Sequence, residues 1–484
     1  MWSALRLARE GMRQKAVLRR PLGQILTIQE QRLRSLVAWA KTRSPFYADR
    51  FRHIDPERFE LGDLPTLTKA EMMANLDGQF TDRRLRRAEL EDFVSDPQRL
   101  GQWYLDKYAL SRTSGTQGLK ALIVQDRRMM EILFALQMGR GSVFPATPLS
   151  ALRCLFRKAR LAVVTIGRGF YPSAAMLAYA PEACQTFVNR LWLTHIEPIH
   201  EVVDHLNRFK PDILLAYANV LEILAREALA GRLRLSKVTG LRQVINMSEP
   251  LSDGGKHFAA EAFGLPVTDN YATGECMALS TGCLAGHGMH LQADWAILEV
   301  VDRHNQPVAA GRSGERVLLT NLYNTVQPFI RYEIEDVVTV SPEPCPCGNP
   351  LPLILKVEGR TDEMLWVRDG ARYRQIHPYV FVDVLDECPE VGWYQIVQVE
   401  RNRLVLRAEP APGRQINLET LREVIQLGLR RFDLADLIRC DVQITDSIAP
   451  DPKSGKLKRI TTRIGAPADL VAHDGRAVAS RLVS

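Results

Sequence analysis

No run of about 18 consecutive apolar residues occurs in this 484-residue sequence, so no segment reads as a bilayer-spanning helix. Cysteine is sparse and scattered, at 154, 184, 276, 283, 345, 347, 388 and 440, with no apolar leader ahead of it. That usage excludes a disulfide-built secreted scaffold and points to a reducing compartment, the cytoplasm. Internal repeats and low-complexity tracts are missing as well. With 46% hydrophobic and 25% charged residues the chain is globular rather than disordered. At about 100 to 200 residues per domain, its length predicts two to four units, each able to bury its own core.

An excess of one charge is nearly absent over most of the chain. The net charge is +7, yet the first 45 residues alone hold ten Lys/Arg against Glu10 and Glu30. The basic character belongs to one arm, so no nucleic-acid-binding face is expected across the fold. An Arg-rich amphipathic start of this kind can touch anionic lipid, serve as a transit segment, or be a solvated helix packed on the body of the protein.

Apolar residues recur at helical spacing from Ile28 to Phe46, and Thr68 has the character of a helix cap after Pro65. A strand-and-turn signal runs from Tyr108 to Val124. Strands and helices then alternate: strands at Leu161–Ile166, Ile213–Tyr217, Gln243–Met247 and Pro266–Tyr271, helices at Ile199–Phe209 and Val220–Leu229. That alternation predicts an α/β architecture, with ligands held where the strands end. From Trp295 to Val340 the pattern is strand-rich, and strands at Gly392–Val399, Leu404–Ala408 and Cys440–Thr445 around a helix at Leu418–Arg430 predict a small α+β tail.

Three segments carry chemistry. Ser111–Lys120 interleaves hydroxyls and glycines and ends in a lysine; glycines let backbone N–H groups converge on an anion such as phosphate. The P-loop spacing is absent, and an ordinary turn is the competing reading. Asn270–Glu275 offers an aromatic face, a hydroxyl and a carboxylate just past a strand, a combination suited to a purine, a phosphate and Mg²⁺. Pro328–Asp336 ends an apolar strand in a carboxylate cluster.

In order and spacing these segments resemble the acyl-adenylate-forming enzymes, and the flanking sequence resembles their phenylacetate-CoA ligase branch over nearly the whole chain. The first is similar to that family's Thr-Ser-Gly-Thr-Thr-Gly phosphate loop, Tyr271–Glu275 to its Tyr-Gly-x-Thr-Glu motif, and Arg331–Asp336 to its Arg-Tyr-Arg-Thr-Gly-Asp segment. Gly359-Arg360-Thr361-Asp362 resembles the hinge, and Ser454–Arg459 the catalytic-lysine motif. The sequence differs from the family at Gln117, Leu119, Ala272, Gly274 and Glu335, and Val367–Pro378 lacks the glycine-rich pattern that often precedes thioester formation.

The resemblance implies a large adenylate-forming domain over residues 1–358, with mixed sheets, a β-rich subdomain and a basic helical lead-in over 1–60. A hinge at 359–362 and a small mobile α+β domain at 363–484 would follow. It also implies ATP, Mg²⁺ and coenzyme A as cofactors and a carboxylic acid, aryl or otherwise hydrophobic, as substrate. Thr113, Ser114, Gly115, Thr116, Gln117, Gly118 and Lys120 would grip phosphates, and Ser248, Glu249, Asn270 and Tyr271 would wall the adenine. Glu275 would hold Mg²⁺, Asp336 and Arg360 would meet the ribose, Asp362 would be the pivot, and Lys456 would reach the reacting carboxylate and α-phosphate. Two other functions compete: transfer of AMP to a hydroxyl or another non-CoA acceptor, and a non-catalytic binding protein retaining the fold.

Cys283, His290, Cys345 and Cys347 form a possible Cys₃His zinc site, although Cys-x-Cys is tighter than the usual two-to-four-residue gap. Cys276 and His287 are weaker substitutes, and ordinary reduced thiols are the competing reading. Phe170, Tyr171 and Met247 are candidates for the acyl pocket or simply for the core.

Overall fold

The computed structural model describes residues 2–113, 121–141, 157–165, 169–194, 197–248, 251, 253–302, 304–360, 365–370, 372–376, 381, 384–385, 388, 390–411, 413–431, 434–448, 460–462 and 464. Contacts divide the chain into two compact units, with the break between Glu358 and Gly359. Among the described residues no helix is long and apolar enough to cross a membrane.

The first unit opens with helices α1 (Trp2–Val17) and α2 (Leu22–Arg43). The helix expected to run from Ile28 to Phe46 instead ends at Arg43, and a new helix starts at Pro45. Ser44 causes the break: its hydroxyl caps Tyr47 N at 3.3 Å, and Pro45, which has no N–H to donate, suits a first helical turn. Strands β1 (Tyr108–Arg112) and β2 (Leu122–Asp126) then form an antiparallel pair.

A five-stranded parallel sheet follows, made of β3 (Ala159–Thr165), β4 (Val188–Thr194), β5 (Ile213–Tyr217), β6 (Gln243–Met247) and β7 (Val267–Asn270) in the order β4-β3-β5-β6-β7. Its central strands β3 and β5 are largely apolar because helices such as Ile199–Phe209 and Ala218–Leu229 cover the sheet; Leu206, Leu221, Leu224 and Leu214 pack in one core. The β-rich part comprises β8 (Ser280–Gly282), β9 (Met289–Leu291), β10 (Ala296–Val301), β11 (Arg316–Asn321), β12 (Tyr332–Ile334), β13 (Asp336–Val340) and β14 (Leu353–Arg360). They pair as β10-β11-β12 and β13-β14-β9-β8.

The second unit contains the hairpin β15 (Leu365–Asp369) and β16 (Arg372–Ile376). Beside it, β17 (Val391–Glu400), β18 (Arg403–Pro410), β19 (Arg439–Ile444) and β20 (Ile460–Thr462) form a sheet. The helix Leu418–Arg431 buries Leu421, Ile425 and Leu429 in a core shared with Ile396, Leu404 and Leu406.

One buried ion pair ties the lead-in to the β-rich part. Arg140, the last residue of the helix Arg127–Arg140, meets Asp294 through two hydrogen bonds of 2.7 and 2.9 Å, with both side chains essentially inaccessible. Its remaining donors reach Gln292 Oε1 at 2.6 Å, Gln14 O at 3.0 Å and Gln14 Oε1 at 3.2 Å. Arg32 from α2 donates to Asp294 O and lies over the Trp295 ring at 3.3 Å, while Trp295 Nε1 donates to Gln14 Oε1 at 2.8 Å. Burial alone would raise the Asp294 carboxyl, but the hydrogen bonds and charge of Arg140, with Arg32 behind them, hold it below the ordinary aspartate value.

Asp294→Ala strands Arg140 in the interior, so it is expected to cost about 3–5 kcal/mol in urea unfolding, much of it regained by Arg140→Met/Asp294→Leu. The folded-state carboxyl is depressed. Its stabilisation is therefore present above the unfolded aspartate pKa of about 4 and drains as pH falls through the lower folded value, a loss the Asp294→Ala chain will not show.

Candidate active site and cysteine cluster

Strands β6 and β7 run parallel in register, Met247 beside Asn270, so both deliver their following residues to one edge of the sheet. Ser248 leaves β6 with φ 65°, a left-handed conformation uncommon for a residue with a side chain. Beyond β7 the chain is pinned by polar side chains. Asn270 Oδ1 accepts from Gly282 N at 2.8 Å, and Ser280 Oγ both accepts from Tyr271 N and donates to Tyr271 O, each at 2.9 Å. A side chain at Gly282 would lie 2.7 Å from Asp269 O and from Thr268 Cβ, which explains why this close approach uses glycine.

Held in this way, the Tyr271 hydroxyl donates to Asp336 Oδ2 at 2.8 Å, joining residues 65 apart in sequence. Asp336 opens β13, and the segment before it is fixed by Arg331. That guanidinium grips Glu299 through two bonds of 3.0 and 2.9 Å and donates to Leu64 O at 2.6 Å. Burial raises the Glu299 carboxyl against the opposing pull of Arg331.

The phosphate-loop segment is described only at its base. Thr113 N donates to Ala121 O at 2.9 Å, and Ala121 N returns a 2.9 Å bond to Thr113 Oγ1. A Cβ added at Gly274 would sit 3.2 Å from Thr113 Cγ2 and 3.3 Å from Pro172 Cγ, so the Tyr271–Glu275 turn packs directly on that base. Glu275 is 6% exposed; its carbonyl accepts from Asn321 Nδ2 at 2.7 Å, and no basic side chain among the described residues pairs with its carboxylate.

One functional candidate was missed in the sequence. Lys69 Nζ donates to Thr113 Oγ1 at 3.3 Å. Two backbone hydrogen bonds of 2.9 Å, Leu67 N to Arg331 O and Glu333 N to Leu67 O, zip the segment carrying Lys69 onto the strand that leads to Asp336. Its only local signal is its position directly after the cap Thr68, which accepts from Glu71 N at 3.2 Å.

Ser114, Gly115, Thr116, Gln117, Gly118 and Lys120 lie outside the described residues, as do Glu249, Asp362 and Lys456. Arg360 is placed at the end of β14. Of the acyl-pocket candidates, Phe170 is buried with its ring edge-on to Phe93 at 6.0 Å, Tyr171 precedes the helix Pro172–Ala178, and Met247 closes β6.

Away from these groups, Cys283, His290, Cys345 and Cys347 converge, their ligand atoms all within 4.8 Å of one another. Cys283 follows β8, His290 lies on β9, and the pairing of His290 with Leu353 of β14 brings in the turn Cys345–Gly348, closed by a 3.1 Å bond from Gly348 N to Cys345 O. Cys283 Sγ is 3.8 Å from Cys345 Sγ, and Cys347 Sγ is 3.4 Å from His290 Nε2. Burial raises the Cys283 thiol, yet the His287 and Ala285 amides and the neighbouring thiols overcome it and bring the thiol below its ordinary value. Burial pushes Cys345 up to about 12 and lowers His290, favouring the neutral ring that ligates metals. Cys276 is fully buried, and the cluster does not include it.

No family model matches the chain. It is 24% identical over 468 residues to the phenylacetate-coenzyme A ligase of Thermus thermophilus, spanning 91% of this chain and 97% of that protein. It is also 26% identical over 181 residues to Protein CapK of Staphylococcus aureus, covering 36% of each. Among solved structures, 2-hydroxyisobutyryl-CoA ligase in complex with 2-HIB-AMP and CoA has a TM-score of 0.57 at 20% identity, over 94% of this chain and 92% of that one. The same ligase in its postadenylation state scores 0.54 over 93% and 91%. Along nine-tenths of its length, then, the chain is similar in sequence to a phenylacetate-coenzyme A ligase, and it shares the fold of 2-hydroxyisobutyryl-CoA ligase.

Proposed function

We propose that the protein activates a carboxylic acid with ATP and Mg²⁺, releasing pyrophosphate and forming an acyl-adenylate, and then transfers the acyl group to coenzyme A. An aryl or other hydrophobic acid is the proposed substrate. The observation that carries this reading is the Tyr271–Asp336 hydrogen bond, which joins the adenine-side and ribose-side motifs, next to the packing of Gly274 on Thr113. The likeness to a phenylacetate-coenzyme A ligase supports the same chemistry.

In this reading a carboxylate oxygen attacks the α-phosphorus and pyrophosphate leaves; the thiolate of coenzyme A then attacks the acyl carbon and AMP leaves. The first step brings anions together, so cations must offset their repulsion. Glu275 suits Mg²⁺ because a buried carboxylate with no cationic partner is costly until a cation joins it. When bound, Mg²⁺ neutralises phosphate charge.

Asp336 accepts hydrogen bonds from the ribose, and Tyr271, whose hydroxyl orients that carboxylate, presents its ring to the adenine beside Ser248, Glu249 and Asn270. Thr113 and the loop over 114–120 hold the phosphates, with Lys69 as a cation supplied from a separate element. Lys456 bridges the carboxylate and α-phosphate, Arg360 lies near the ribose, and the domain over 363–484 turns about Asp362 between the two steps.

The Cys₃His cluster is proposed as a structural zinc site. A tetrahedron with Zn–S bonds of about 2.3 Å has S···S edges of about 3.8 Å and S···N edges of about 3.6 Å. The observed separations of 3.8 and 3.4 Å fit that geometry.

Acid-dependent pyrophosphate release is expected across a panel of aryl and fatty acids, with thioester formed only when coenzyme A is present. Lys456→Ala should lower it by on the order of 10²-fold or more. No release with any acid, while ATP still binds, sinks the proposal; release without thioester moves the acceptor away from coenzyme A. Lys69→Met should lower kcat/KM for ATP by about 10- to 100-fold, the worth of one charge-assisted hydrogen bond, and an unchanged value removes Lys69 from the phosphate site. Elemental analysis should find one zinc per chain, lost with Cys347→Ser together with a fall in Tm; a metal-free protein whose Tm ignores chelators overturns the site.

A further inference from the structure

We infer that α1 and the turn after it form a docking surface for an anionic membrane, holding the protein at a lipid surface without crossing it. The two faces of this helix differ in kind. Its inner face, with Ala4, Leu7 and Gln14 buried, packs on the helix Arg127–Arg140 beside Ala135 and Met138. At Gly139 any side chain would collide with the Gly11 carbonyl, so the two helices touch backbone to backbone and the inner face has no further surface to offer.

Among the described residues the outer face has no such cover. Leu5 and Met12 are each 63% exposed, and Ala16 is exposed with them. At about 100° per residue these three lie on one strip, with Arg9 and Arg13 along its edge. The turn adds exposed Arg19 and Arg20, and the start of α2 adds Leu22 and Leu26, 38% and 41% exposed. Between residues 2 and 29 the single acidic residue is Glu10, half-buried, accepting from Gln14 at 2.7 Å and lying 3.6 Å from Arg13. Arg6 is spent on Glu131, but Arg9, Arg19 and Arg20 have no acidic partner among the described residues.

Charge and apolarity together select the partner. A nucleic acid would use the guanidinium groups and leave Leu5 and Met12 in water. An anionic lipid surface takes both, phosphates meeting the arginines while the apolar strip enters the headgroup–acyl boundary. A helix of 16 residues, about 24 Å long, lies readily in that plane.

The test is co-sedimentation of the full chain with phosphatidylcholine vesicles containing about 30% phosphatidylglycerol, beside pure phosphatidylcholine vesicles and fluorescently labelled duplex DNA. The chain is expected on the anionic vesicles alone, less so in high salt. Arg9→Gln/Arg13→Gln/Arg19→Gln/Arg20→Gln should weaken partition by about 100-fold or more, at roughly fivefold per charge near the surface. Leu5→Ser/Met12→Ser should weaken it about tenfold or more. Unchanged thermal unfolding in both variants would show that the loss is at the surface rather than in the fold. Absence of partition, equal partition into neutral vesicles, or DNA binding that exceeds vesicle binding and ignores Leu5→Ser/Met12→Ser would overturn the inference.

Discussion

The bidentate pair of Arg140 and Asp294 is the constraint on which the first unit depends. Neither side chain reaches water, so every donor and lone pair must be met within the protein, and the groups that meet them come from α1, α2, the helix Arg127–Arg140 and the residues before β10. A buried charge set of this kind leaves little freedom in placement. The basic lead-in is thus built into the β-rich part of the unit, and one of its arginines, Arg32, is half-buried against Asp294 and stacked on Trp295.

The same logic, polar groups satisfied one by one, assembles the active-site edge. Parallel strands bring Ser248 and Asn270–Glu275 to one side of the sheet, but a strand end alone does not fix a side chain. Ser280, Asn270 and Gly282 fix the Tyr271 backbone, and Tyr271 then fixes Asp336. On the other flank, Leu67 pairs with the strand after Arg331 and so delivers Lys69 to Thr113. Glu275 is the exception among these satisfied groups, a buried carboxylate that no cation among the described residues pairs with.

The cysteine cluster and the outer face of α1 draw on the same economy of contacts. Strand pairing of β9 with β8 and β14 brings Cys283, His290 and the Cys345–Gly348 turn together, and among the described residues Leu353 is the apolar side chain that shares a buried cluster with the thiols. In α1 the inner face is used up by a glycine contact, and its arginines and large apolar side chains are left facing outward.

Local signals were enough for the α/β alternation, the strand-rich segment after Trp295, the three motif segments and the four residues of the cysteine–histidine cluster, because hydrophobic period, turn chemistry and residue type act over a few neighbours. The helix break at Ser44 was legible in principle, since a serine followed by proline is a cap signal, but the apolar period running through it hid the boundary. Long-range contact decided the rest. Nothing near Tyr271 in sequence points to Asp336, nothing near Lys69 points to Thr113, and Asp294 reads as an ordinary loop acid until Arg140 and Arg32 arrive from segments more than 150 residues away. These pairings depend on how buried polar groups find partners across the fold. A charge count along the chain cannot say whether an arginine is spent in the core, as Arg140 is, or left facing water, as Arg9 is; only packing divides them.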